Sequence, residues 1–179
     1  MKNSILTLCL LMSTVAVLPA SNEFSSSTSF GFVLNEYADD FGIGLQVSSP
    51  YIADVVVFRA TGTMQFNKAA AWTPWWTAKL GVAGASSLVG DFARFYGEGG
   101  AIAAFPGSNL SSHSYGIGGY GLFGFEFFMS TESPLSYFLE IGAIGCGLRA
   151  DRINGEPLLV NGLTIQVGFR GYPFRSKKR

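Results

Sequence analysis

Between Asn161 and Phe174 the chain reads NGLTIQVGFRGYPF, and there Leu163, Ile165, Val167 and Phe169 alternate with Thr164, Gln166, Gly168 and Arg170. Successive side chains of an extended chain point to opposite faces, so this spacing gives a strand with one oily face and one polar, cationic face. The two faces need different surroundings. Only 13% of the residues are charged, against about 25% in soluble domains, while 48% are hydrophobic and 15% aromatic. The mean hydropathy of +0.30 agrees. Beyond residue 20, however, no unbroken apolar run approaches the roughly 20 residues of a spanning helix; the greasiest, GLFGFEFFM, is interrupted by Glu126. A bilayer accepts helices or closed barrels, because only these satisfy every backbone hydrogen bond without water. With helices excluded, the pattern predicts an all-β chain closed on itself.

The first 20 residues form a separate unit. Lys2 precedes an apolar run from Ile5 to Val17 and a small-residue exit at Leu18-Pro19-Ala20, the layout of a secretory signal peptide cleaved after Ala20. The mature part keeps one cysteine, Cys146, so an internal disulfide is ruled out and a small packed side chain is expected. Zero net charge gives no sign of a nucleic-acid partner. No histidine or cysteine grouping suggests a metal, and no cofactor is expected.

Eight segments of period-two alternation, separated by turn residues, fill the chain after the signal: about Thr28 to Glu36, Phe41 to Ser48, Val55 to Phe66, Thr73 to Ser86, Ala93 to Phe105, Tyr115 to Ser130, Leu135 to Leu148, and the closing Asn161 to Phe174. Turns are expected at Tyr37 to Asp40 and near Leu88 to Asp91, and a polar loop from Pro106 to Ser114. The reading is an eight-stranded, antiparallel, up-and-down transmembrane β-barrel over residues 21–174, followed by a basic tail, 175–179. An even strand number lets both chain ends meet on one side of the membrane and leaves no unpaired edge. At eight strands the interior is just wide enough to be filled by side chains.

The strand phases place Arg59, Lys79, Arg94, Glu98, Glu126, Glu140 and Arg170 opposite the apolar face, in the lumen. A lysine or arginine facing lipid at mid-bilayer would cost about 2–4 kcal/mol, so segregation to one side is what a barrel needs. The group reads as a network that plugs and stiffens the barrel, or as the lining of a very narrow porin-like passage. Aromatics fall near the two strand ends: Trp72, Trp75 and Trp76 with Phe66, Phe105 and Tyr115 at one, and Phe127, Phe128, Tyr137, Tyr172 and Phe174 at the other. These are the expected girdles at the headgroup levels.

The eight segments, the short turns at one end and the closing VGFRGYPF resemble the small outer-membrane barrels of diderm bacteria, the outer-membrane protein A and X types and their W-type relatives. The likeness is one of pattern over nearly the whole mature chain. It implies residence in the cell outer membrane, contact with its lipids, and recognition of the last strand by the barrel-assembly machinery through a terminal aromatic, here Phe174 with Tyr172. A monomer is expected. Arg175-Ser176-Lys177-Lys178-Arg179 departs from the pattern by extending past that aromatic.

Two motifs invite a chemical reading. Gly116-Ile117-Gly118-Gly119-Tyr120-Gly121 matches the dinucleotide fingerprint in letters, but it opens a β segment where that chemistry needs a helix. Ser112-His113-Ser114 holds the only histidine. A histidine oriented by a carboxylate can activate serine, so a lipid A deacylase or acyltransferase built on His113 with Ser112 or Ser114 is the enzymatic alternative. No carboxylate is near it in sequence, and the expectation is a non-enzymatic envelope protein.

Overall fold

The computed structural model describes residues 27–174 apart from 38, 39, 54, 69, 90, 91 and 130–132. The expected signal peptide, 1–20, and the basic tail, 175–179, lie outside the described residues. Within them the chain forms β1 (Ser29–Tyr37), β2 (Asp40–Ser48), β3 (Val56–Asn67), β4 (Thr73–Val89), β5 (Ala93–Phe105), β6 (Gly116–Phe128), β7 (Leu135–Arg149) and β8 (Leu158–Gly171). Each strand pairs antiparallel with the next, and β8 returns to β1, so the sheet is a closed eight-stranded barrel.

Alternation decides which side chains face which medium. On β8, Thr164, Gln166 and Arg170 are buried while Leu163, Ile165, Val167 and Phe169 are exposed. The same split runs round the wall, with Leu45, Phe58, Leu80, Ile117 and Phe123 all more than half exposed on the outside. A continuous oily exterior around a polar interior inverts a water-soluble domain, and hydrocarbon is the solvent that makes it stable. Exceptions at the rim include Glu36, which turns outward at the end of β1 and pairs with Lys68 at 3.0 Å, and Arg149, which does so at the end of β7 and pairs with Glu156 at 3.7 Å, all solvent-exposed. These paired charges sit at strand ends, away from the middle of the oily band.

Several strand ends differ from the sequence expectation. β4 runs on to Val89, through the stretch read as a turn, because its pairing with β5 resumes at Leu88 after an irregularity following Ala85. β8 starts at Leu158 and stops at Gly171, short of Phe174. Pro173 has no N–H to continue a ladder, and the Tyr172 amide instead donates to the Pro134 carbonyl at 2.8 Å. The β7–β8 pair also carries a register shift between Gly145 and Leu148. Across from it Val160 has φ of 51°, and Leu159 and Val160 are both buried. Cys146 and Gly147 of β7 stand opposite the single Val160, a bulge on β7, and the left-handed backbone at Val160 sets two neighbouring β8 side chains on the inner side.

The seam that closes the barrel is tight. A Cβ added to Gly168 would lie 2.0 Å from the Phe32 carbonyl oxygen and 2.7 Å from the Phe138 ring. Gly168→Val should therefore destabilise the folded barrel by roughly 1–3 kcal/mol or more, the usual cost of overpacking, read as a lower urea midpoint for loss of the band with heat-dependent gel mobility.

Candidate functional site

The interior holds four buried cations, Arg59, Lys79, Arg94 and Arg170, and four buried carboxylates, Asp40, Glu98, Glu126 and Glu140. A buried charge is tolerable only when paired and hydrogen-bonded. Two hubs collect most of these groups, with Arg94 Nη1 and Nη2 and Arg170 Nη1 held by charge and not by a hydrogen bond within the protein. At the first, Glu140 accepts hydrogen bonds from Arg170 Nη2 at 2.6 Å and the Tyr96 hydroxyl at 2.5 Å, with Arg59 Nη1 at 3.4 Å. Arg59 also pairs with Glu98, which in turn accepts from the Tyr120 hydroxyl at 2.6 Å. At the second hub, Glu126 accepts from Ser136 Oγ at 2.6 Å and the Tyr172 hydroxyl at 2.5 Å. Arg170 Nη1 and Arg94 Nη1 approach the same carboxylate at 3.5 and 3.9 Å.

Arg170 therefore joins the hubs. Its guanidinium lies 4.0 Å from the Phe138 ring centroid and 5.1 Å from that of Tyr96, while its Nε donates to Gln46 Oε1 at 2.8 Å. Arg94 is held against Tyr51 and Phe128, at 4.8 and 5.1 Å. Aromatic faces attract cations electrostatically, and in a dry interior that attraction is worth more than at a surface. Lys79 takes a different partner, the neutral Gln166 Oε1 at 2.6 Å, with the Tyr120 ring 5.4 Å from its ammonium.

Two of these contacts span the full bore. Lys79 on β4 meets Gln166 on β8, and Arg59 on β3 meets Glu140 on β7, four strands apart in an eight-stranded ring. The bulky spokes fit because small residues stand where they land. A Cβ on Gly124 would lie 2.1 Å from the Tyr96 ring, and one on Gly81 would lie 2.1 Å from the Tyr120 hydroxyl. Those two glycines let the tyrosines reach Glu140 and Glu98.

All seven charges assigned to the lumen from the sequence are buried inside the wall, and Asp40, read as part of a turn, joins them by accepting from Asn67 Nδ2 at 2.7 Å. Tyr96, Tyr120 and Tyr172 complete the network. Of the residues assigned to aromatic girdles, Trp72, Trp76, Tyr137 and Phe174 are exposed, and Phe127 is partly exposed and stacked on Tyr137 at 5.1 Å. Trp75 and Tyr172 are corrections. Trp75 shares the inward phase of Thr77 and Lys79 and is 1% exposed, because Trp76 has already taken the outward position. Tyr172 lies past the end of β8 and turns into the lumen toward Glu126 and Phe128, where it is 2% exposed. Phe128 is inward for the same reason of phase.

The loop after β5 is a hatch. Its Leu110 is fully buried in the apolar cluster that contains Ile102, Ala104, Ala150 and Leu159. Arg152 reaches back, its amide donating to the Leu110 carbonyl at 3.2 Å. Asp151 then accepts from the Ser112 amide at 2.7 Å and from the Ser112 hydroxyl. A carboxylate is thus beside the Ser112-His113-Ser114 group in space, but the Ser112 proton points to Asp151 and not to His113. The His113 amide donates to Ser111 Oγ at 3.1 Å. This pattern fastens two loops together; a nucleophile would need its hydroxyl proton aimed at a base. Among the described residues no group of three or more His, Cys, Asp or Glu is placed to hold a metal, and Cys146 is free and half-buried.

No protein-family model and no curated protein sequence matches the chain. In structure it is similar to the N-terminal β-barrel domain of OprF from Pseudomonas aeruginosa, with a TM-score of 0.60, 10% identity, and coverage of 83% of this chain and 97% of that one. It is also similar to the outer membrane protein OprG from Pseudomonas aeruginosa, with a TM-score of 0.55, 11% identity, and coverage of 82% and 96%. The chain has the fold of the small outer-membrane β-barrels.

Removing the shared carboxylate should be costly. Glu140→Ala leaves Arg170 and Arg59 buried with a partner missing and is expected to lower unfolding free energy by about 3–5 kcal/mol, measured by urea titration in detergent. At the hatch, hydrogen bonds from the Ser112 hydroxyl and amide hold the Asp151 carboxyl below the ordinary aspartate range. A lowered folded-state pKa stabilises the latch above the ordinary value and loses that contribution as pH falls through the lowered one. The Ser112 amide resonance should shift with that acid titration, and should stay unmoved over the same range in Asp151→Asn.

Proposed function

We propose that the protein is an integral outer-membrane barrel whose lumen is closed by its own charges, and that it serves the cell envelope structurally without forming an open pore. The observation that carries this reading is the pair of full-diameter contacts, Lys79 to Gln166 at 2.6 Å and Arg59 to Glu140 at 3.4 Å. Water or an ion crossing the barrel would have to separate both, against the cost of uncovering buried charge. The network also ties β2, β3, β5, β6, β7 and β8 to one another, so it stiffens the wall that it fills.

In this reading both ends of the chain lie in the periplasm, the exterior belt contacts membrane lipids, and the barrel works as a monomer. Phe174, 72% exposed just past β8, is the aromatic offered to the assembly machinery. The polar outward faces that a secreted, soluble ligand carrier would need are replaced by Phe58, Leu80 and Phe123.

Purified chain reconstituted into planar bilayers should give no steady unitary conductance. Stable single-channel steps whose size changes on Glu140→Gln would overturn the closed-lumen reading in favour of a passage.

A further inference from the structure

Beside the hatch, the mouth of the barrel keeps a cavity of about 210 Å3 between the ends of β1, β2 and β3 and residues 154–161. We propose that this cavity is a binding site for one neutral sugar ring. Its polar wall is made by Tyr37, Asp40, Asn67, Asn154 and Asn161. Among the described residues no lysine, arginine or histidine lines it, so none of them compensates the charge of a phosphate or carboxylate ligand. Among the described residues that line it Asp40 is the one carboxylate, and it is already engaged by Asn67, an arrangement unlike the several free oxygen ligands a hard dication takes. What remains is rich in amides. Each amide side chain both donates and accepts, as does each hydroxyl of a sugar.

The other wall is apolar. Leu158, Leu159 and Val160 line it, and the left-handed backbone at Val160, opposite the β7 bulge, turns the last two inward together. A pyranose has that same two-sidedness, with hydroxyls at its edge and C–H groups on its face. Asp40 is already positioned: Asn67 Nδ2 donates to it at 2.7 Å, and Asn67 Oδ1 is itself fixed by the Ala70 amide at 2.9 Å. Polar capacity continues one rung inward, where Asn35 Nδ2 and Gln65 Oε1 are buried without a hydrogen-bond partner in the protein. The cavity is smaller than the roughly 300–1,000 Å3 of sites for drug-sized ligands, which favours a single ring over an oligosaccharide.

This mouth is the end away from the start of β1 and the end of β8, so under the orientation proposed above it faces outward, toward free saccharides and the sugars of outer-leaflet glycolipids. Binding itself does not depend on that orientation or on whether the lumen conducts, and it is measured separately from both. The test uses the full mature chain, isotope-labelled and refolded in detergent micelles, titrated with methyl α-D-glucopyranoside and methyl β-D-galactopyranoside. Saturable shifts are expected at the amides of Asp40, Asn154, Gly155 and Asn161, with affinity weakened about tenfold or more by Asp40→Asn, the loss of a charged hydrogen-bonding group. Asn161→Ala, an exposed position, should weaken it as well and keeps the test usable if Asp40→Asn does not fold. The same shifts produced by glycolipid-containing micelles alone would name the lipid as the source, and their appearance only with added glycoside would name free sugar. Absence of saturable shifts with both glycosides, unchanged affinity in Asn161→Ala, or tighter binding of choline or inorganic phosphate would overturn the proposal.

Discussion

Arg170 shares its charge between two carboxylates, and the interior is arranged so that it can. Glu140 lies 2.6 Å from one of its terminal nitrogens and Glu126 lies 3.5 Å from the other, while two aromatic rings flank the guanidinium. Remove one partner and the other is left as an uncompensated buried charge, which costs about 3–5 kcal/mol, a large part of a small domain's margin of stability. The oily exterior and the charged interior are therefore a single arrangement. A chain whose outer face has been given to hydrocarbon has only the lumen left for its ionised groups, and the lumen is narrow enough that those groups must find one another.

Narrowness also explains the pairing of large with small. Tyr96 reaches Glu140 over Gly124, and Tyr120 reaches Glu98 past Gly81. In each case a missing side chain on one strand makes room for a phenol from another. The hydroxyl then supplies a hydrogen bond that shortens the list of unsatisfied oxygen lone pairs on a buried carboxylate. Glycine in these strands is thus part of the electrostatics as much as of the curvature.

Much of this was legible in the sequence because a β-barrel writes its two environments on alternate residues. Counting by twos from Phe169 places Arg170 inward, and the same count places Arg59, Lys79, Glu98, Glu126 and Glu140. Phase alone was silent at the strand ends. Trp75 and Trp76 are neighbours, so one of them had to face in, and composition favoured a girdle for both. Tyr172 sits beyond Gly171, where the period-two rule no longer governs direction, and Pro173 sends the chain elsewhere. Partners were less legible still. Nothing local links Lys79 to Gln166 or Ser112 to Asp151, since these meetings are set by closure of the ring and by two loops folding over one mouth. The seven lumen charges could be named without a structure; who holds whom could not.

The position of Arg170 near the end of β8 has a further consequence for assembly. Glu140, Glu126, Gln46 and Tyr96 all take a hydrogen bond or a charge from this one residue, and Gln166 of the same strand receives Lys79. A sheet of seven strands would keep Tyr96 and Arg59 on Glu140 and Ser136 and Arg94 by Glu126, but would lack the one cation that joins the two groups. The interior charges therefore reach their full set of partners only when β8 meets β1, so closure of the wall and completion of its electrostatics coincide.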